Sequence, residues 1–194
     1  LAELMGGTAS ATSEPGRGST FRFSFRASPA KPRVATPEMA ANAPSDVRDL
    51  LKQSNLRVLL VDDHPINRQV ASLFLRPFNM RIVDATNGLE ALSALKRETF
   101  DIVLLDVHMP VMEGTQTIRT LRDSSEPWKN VPVIALTADA MSGDKERYLG
   151  MGMDGYLSKP LAERDLITEI TRVRSLTPEQ LLANRQAKAE AEAA

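Results

Sequence analysis

The chain has 194 residues, with 24 Lys and Arg against 25 Asp and Glu and a formal charge of -1. So close a balance gives no electrostatic reason to expect nucleic acid or an anionic membrane as partner, and the absence of cysteine excludes disulfides and thiolate metal sites. At 42% hydrophobic and 25% charged residues, the chain has enough apolar material for one packed domain with flanking segments. The most apolar stretch, IVLLDVHMPVM, is interrupted by Asp106, and no run reaches the roughly 18 residues that a membrane helix needs. This stretch is therefore expected to make no membrane contact and to lie in the cytoplasm, whether or not a parent protein is membrane-anchored. The first residue is Leu1 and no signal segment follows it, so the chain reads as a piece of a longer protein.

In chain order, residues 1–25 mix glycines with alternating aromatics, and GSTFRFSF alternates as a half-buried strand does. Gly16 and Gly18 mark a turn before it; a phosphate loop is the other reading, but the lysine of a P-loop is missing. Residues 26–54 are rich in Ala, Pro and Ser, bury too little apolar surface to fold, and read as a linker. Within them DVRDLLKQ supplies a helical turn or two. Residues 55–175 change character. Short β-branched or leucine-rich runs (LRVLLV, MRIVDA, DIVLL, VPVIAL, GYLSK) alternate with the amphipathic segments PINRQVASLFLRP, GLEALSALKRE, EGTQTIRTLRD, MSGDKERYLGMG and AERDLITEITRV. Runs without strict alternation are strands covered on both faces. Five such strand–helix units predict an α/β fold, a doubly wound, open, five-stranded parallel sheet with helices on both faces. In residues 176–194 Thr177 caps before Pro178 and strong helix formers follow. The apolar face thins after Leu182, so a solvated, fraying helix is expected, with docking on the preceding domain or pairing in trans as alternatives.

The polar residues fall at strand ends. Asp62 and Asp63 follow the first strand, Asp106 ends the third, Thr137 the fourth and Lys159 the fifth. Open parallel sheets bind ligands at the carboxyl ends of strands where strand order reverses. With the order 2-1-3-4-5, Asp62, Asp63 and Asp106 converge there, with Thr137 and Lys159 alongside. Three crowded carboxylates repel one another unless a cation intervenes. Oxygen-only ligands favour a hard cation, and a partly hydrated site favours Mg2+. One carboxylate then acts as nucleophile toward a phosphoryl group, while a hydroxyl and an ammonium hold its remaining oxygens. Taken singly, each residue has a plainer reading: Asp62 or Thr137 as a helix cap, Lys159 as a solvated charge.

The segments VLLVDDHPINR, DIVLLDVHMPVMEG, PVIALTA and YLSKPL resemble, in order, the signature segments of response-regulator receiver domains. The resemblance implies the flavodoxin-like receiver fold, with Asp106 as phosphoacceptor. It also implies a metal site for Mg2+ or Mn2+ built from Asp62, Asp63, Asp106 and the backbone carbonyl of His108. Thr137 matches the family's switch hydroxyl and Lys159 its lysine, and the Lys159–Pro160 bond matches one that is cis in the family. Tyr156 matches the rotating aromatic of the switch, or is simply a half-buried strand residue. His64 and His108 lack the long helical setting of a phosphodonor and are expected at the rim of the site. His108 and Asp139 occupy positions where the family tunes phosphoryl lifetime.

Residues 1–25, LAELMGGTASATSEPGRGSTFRFSF, resemble the closing end of a histidine-kinase ATP-binding domain. The order of parts then implies a hybrid sensor histidine kinase whose receiver follows its kinase core. This stretch has neither the ATP-holding motifs nor the donor histidine, so it would catalyse only its own phosphotransfer and dephosphorylation. The implied function is phosphorelay. The receiver accepts a phosphoryl group from the phosphohistidine of a kinase dimerisation helix or a histidine phosphotransfer protein. It then passes the group to a histidine phosphotransfer partner or uses it to regulate the parent hybrid histidine kinase. Ile66, Asn67, Val70 and Phe74 lie at helical spacing on the segment that would meet such a partner. The alternatives are an autoinhibitory binding module and a magnesium-dependent aspartyl-phosphate phosphatase. The latter expects an aspartate where His108 stands.

Overall fold

The computed structural model describes residues 8–14, 16, 18–24, 51–138 and 144–193. Residues 1–7 of the kinase-like segment, most of the linker and Asp139 lie outside the described residues. The chain divides into two compact units, Leu1–Ala41 and Asn42–Ala194. In the first, β1 (Ala9–Glu14) and β2 (Gly18–Phe23) pair antiparallel, with Ala9 opposite Phe23 and Glu14 opposite Gly18. Gly16 and Gly18, at φ 79 and 94, take left-handed conformations that a side chain would strain, so the glycine pair makes a hairpin turn.

The second unit is built on β3 (Arg57–Val61), β4 (Arg81–Ala85), β5 (Ile102–Asp106), β6 (Val133–Thr137) and β7 (Gly155–Ser158). They form one parallel sheet in the order β4-β3-β5-β6-β7, which is the expected 2-1-3-4-5. Around it lie α1 (Pro65–Leu75), α2 (Gly88–Arg97), α3 (Gly114–Asp123), α4 (Asp144–Gly150) and α5 (Glu163–Arg174). Every residue of β5 and β6 is buried. Val58, Leu60, Ile102, Leu104, Ile134 and Leu136 pack on one face with Ala71 and Leu75 of α1 and Leu166 and Ile170 of α5. Leu59, Val61, Val103, Leu105, Val133 and Ala135 pack on the other with Leu95 of α2, Ile118 of α3 and Tyr148 of α4. Two covered faces explain the unbroken apolar runs: alternate side chains enter two cores rather than one core and solvent.

The tail differs from the expectation of a solvated helix. In α6 (Pro178–Ala193), Thr177 and Gln180 form a reciprocal cap, each side chain accepting from the other's backbone N–H at 3.3 and 2.9 Å. Leu181 is buried, and α6 packs along α4. Arg185 donates from Nε and Nη2 to the Asp154 carboxylate at 2.7 and 2.8 Å. The same carboxylate accepts from Arg122 Nη2 at 3.0 Å and from the Val133 N–H at 2.9 Å. The apolar stripe does thin after Leu182, but a buried carboxylate distant in sequence supplies the anchor instead.

The side chains of Asp154, Arg122 and Arg185 are only 1%, 15% and 10% exposed. Removing a partner from so buried a set leaves the rest charged and unsolvated. Asp154→Ala should therefore lower the urea-unfolding free energy by about 3–5 kcal/mol, far beyond a surface ion pair.

Candidate functional site

The sheet delivers its polar residues at one edge. The ladder continues past β3, where the Asp62 N–H donates to the Ala85 carbonyl at 3.1 Å, before the chain turns into α1. Past β5, the Val107 N–H donates to Leu136 O at 3.0 Å; past β7, the Lys159 N–H donates to Thr137 O at 2.6 Å. A Cβ on Gly114, the first residue of α3, would lie 2.3 Å from Asp106 O, so only glycine lets that helix begin against the strand end. In the loop between them Val111 sits at φ 71, a strained conformation for a β-branched residue.

Each of Asp62, Asp63 and Asp106 offers a carboxylate oxygen, and these lie within 4.8 Å of one another. Asp62 and Asp106 are buried and Asp63 is exposed. Lys159 Nζ bridges the buried pair, 2.7 Å from Asp62 Oδ2 and 2.6 Å from Asp106 Oδ2. Thr137 is fully buried at the adjoining strand end. The His108 N–H donates to Asp106 Oδ1 at 3.2 Å. Both histidines are exposed at the rim. Tyr156 is half-buried on β7, its ring stacked on Tyr148 at 6.2 Å and 17°. The Lys159–Pro160 peptide is cis.

Three carboxylates face one ammonium, so the fully ionised centre is two positive charges short. Burial pushes the Asp106 carboxyl above its ordinary value, Lys159 holds it down only in part, and Asp62 adds repulsion. Burial also acts to lower Lys159, but its hydrogen bonds to Asp106 and Asp62 outweigh that and hold its proton more tightly than usual. The donor set, all carboxylate, suits a hard divalent cation, whose charge equals the deficit.

Two residues of this constellation escaped the sequence analysis. Asn67 Nδ2 donates to Asp62 Oδ1 and Oδ2 at 3.1 and 3.2 Å, although its spacing had assigned it to the partner surface. Arg68 Nη1 donates to the carbonyls of Asp62 and Asp63 at 2.6 and 3.2 Å. A usable signal existed: side chains in a helix lean toward its N-terminus, so the first turn of α1 reaches back over the preceding acidic loop.

Residues 58–171 match the family described as response regulator receiver domain. The chain belongs to the response regulator receiver family. The chain is 38% identical over 135 residues to the sensor histidine kinase GacS of Pseudomonas protegens, covering 69% of this chain and 14% of the relative. It is 31% identical over 176 residues to the sensor protein EvgS of Escherichia coli, covering 91% of this chain and again 14% of the relative. The receiver domain of sensor histidine kinase PA1611 from Pseudomonas aeruginosa is 34% identical, with a TM-score of 0.58 over 63% of this chain and all of that one. That structure holds a magnesium ion in its active-site cleft. The receiver of Ssk1 from Saccharomyces cerevisiae, solved with the histidine phosphotransfer protein Ypd1, is 29% identical with a TM-score of 0.53, covering 58% of this chain and 83% of that one. Receiver domains of this kind serve phosphorelay signalling. Among the described residues no helix is long and apolar enough to cross a membrane.

The raised Asp106 carboxyl carries a sign. Folding favours its protonated form, so the stability this contributes is present below the ordinary value of 3.8 and is lost as pH rises through the higher folded value. In metal-free protein Asp106→Asn should therefore melt above the wild type at neutral pH, and the gap should close below pH 3.8 in a thermal-shift series.

Proposed function

We propose that Asp106 is the phosphoacceptor of this receiver, attacking the phosphorus of a phosphohistidine. The P–N bond breaks as a P–O bond forms, the electron pair passes to the imidazole, and Asp106 becomes an acyl phosphate. The observation that carries this reading is Lys159 bridging two buried carboxylates beside a third. Lys159 holds Asp106 Oδ2 at 2.6 Å, which leaves the Oδ1 side, with the His108 N–H, for the incoming group. Mg2+ or Mn2+, held by Asp63, an Asp106 oxygen and the His108 carbonyl with Asp62 beside them, would neutralise charge on the transferred phosphoryl group. Thr137 and Lys159 then bind its remaining oxygens. Thr137 moving toward the phosphoryl group and Tyr156 following it form the switch, and His108 tunes the lifetime of the acyl phosphate. Asp139 is assigned the same tuning role, although it lies outside the described residues. His108 also stands where an aspartyl-phosphate phosphatase needs an aspartate, which favours a receiver over such an enzyme.

For the partner, the surface of α1 separates what its spacing left mixed. Ile66 and Leu73 are 60% and 58% exposed, Val70 is half-buried, and Phe74 packs toward the core. An exposed apolar pair beside the site suits a histidine-bearing helix, either of a kinase dimerisation domain or of a histidine phosphotransfer protein; the Ssk1 receiver seen with Ypd1 supports the latter. The hairpin of β1 and β2 as the end of a kinase ATP-binding domain, a linker over 26–54 and a receiver from residue 55 fit a hybrid sensor histidine kinase. The EvgS match over 91% of the chain supports that order.

Acetyl phosphate with Mg2+ should add one phosphoryl mass to the intact chain and none to Asp106→Asn; equal labelling of both would sink this assignment. With a phosphorylated histidine phosphotransfer protein as donor, Ile66→Asp combined with Leu73→Asp should slow transfer by about tenfold or more. Labelling by acetyl phosphate should stay at the wild-type rate.

A further inference from the structure

We propose that Arg68 is the positioning residue of the divalent-cation site, fixing the two peptide planes from which Asp62 and Asp63 project. This role rests on the acidic cluster binding such a cation. Arg68 lies in the first turn of α1, where its N–H donates to His64 O at 3.3 Å. Its side chain turns back over the loop and puts Nη1 on the carbonyls of both acidic residues. A carboxylate is within reach: Asp84 Oδ2, on a half-exposed side chain, lies 3.6 Å from Arg68 Nε. Yet Nε makes no hydrogen bond among the described residues. A guanidinium ordinarily takes a carboxylate with two parallel bonds. Here the geometry serves the main chain instead, and Asp84 only flanks it.

The two acidic side chains depend on that backbone to different degrees. The Asp62 carboxylate is held directly by Lys159, Asn67 and the His64 N–H. Among the described residues no donor holds the Asp63 carboxylate, which is the exposed member of the set. Its direction is therefore set by the peptide planes on either side, and those are what Arg68 binds. Losing the two bonds frees a cation ligand whose carboxylate has no other restraint among the described residues.

Charge alone predicts the opposite sign. A guanidinium on the acidic loop repels an incoming cation, so removing it should tighten binding if electrostatics were its whole effect. Partners that orient metal ligands typically contribute 10–100-fold to metal affinity. Orientation should win here because the dominant loss is of a ligand's position, while the guanidinium's charge is already shared with two carbonyls and flanked by Asp84.

The test is an Mg2+ titration of the full chain followed by amide chemical shifts, with metal-free thermal melts as the folding control. Arg68→Met should raise the Mg2+ dissociation constant at least about tenfold. Arg68→Lys, which keeps the charge but lacks the planar fork, should also bind more weakly than the wild type. An Arg68→Met protein that melts cooperatively and binds Mg2+ as tightly as the wild type, or more tightly, overturns the role. Should that variant fail to fold, wild-type affinity in Arg68→Lys overturns it instead. A wild-type chain that binds no Mg2+ removes the cation site itself, and the role with it.

Discussion

Lys159 reaches two buried carboxylates with a single ammonium, and a third, exposed carboxylate stands beside them. A buried carboxylate without full compensation is costly, so the arrangement persists only because the surrounding fold holds it there. Each strand contributes one part of that hold. The carboxyl ends of β3 and β5 are adjacent because strand order reverses between them, and β6 and β7 bring Thr137 and Lys159 across. Gly114 then lets α3 close against the end of β5 without a side chain in the way. A charge deficit of this kind is what the phosphoacceptor role proposed for Asp106 would use, since phosphoryl transfer needs alignment and charge compensation above all.

The amino ends of the strands show the reverse arithmetic. There one carboxylate, Asp154, receives Arg122, Arg185 and the Val133 N–H, and Arg122 also donates to the carbonyls of Gly152 and Val131. Nearly every donor in that cluster is matched, so it closes upon itself and acts as structure. The two ends thus set carboxylates against cations in opposite proportions: one is left short of positive charge, the other is saturated. Through Arg185 the saturated end also draws α6 into the domain, so the folded unit extends beyond the five strand–helix units.

Much of this is legible in the sequence alone. The unbroken apolar runs predicted strands covered on both faces, and β5 and β6 are buried throughout. Acidic residues at the ends of the first and third runs pointed to the reversal of strand order, where they do converge. These features are local: a run of five residues reports its own burial, and a residue's place at the end of that run puts it at a sheet edge.

What escaped were relations between residues whose separation carries no period. Arg185 anchors α6 because Asp154 and Arg122, 31 and 63 positions earlier, happen to meet beneath β7. The stripe of α1 could not be divided by spacing, since Ile66 faces solvent while Phe74 faces the core according to what packs opposite them. Arg68 looked like an ordinary helix-surface cation; its bonds to two carbonyls depend on the angle at which α1 leaves the acidic loop. Periodicity encodes which side of an element is buried. Which distant charge meets which is settled only when the elements pack, because that pairing depends on distance in space rather than on position along the chain.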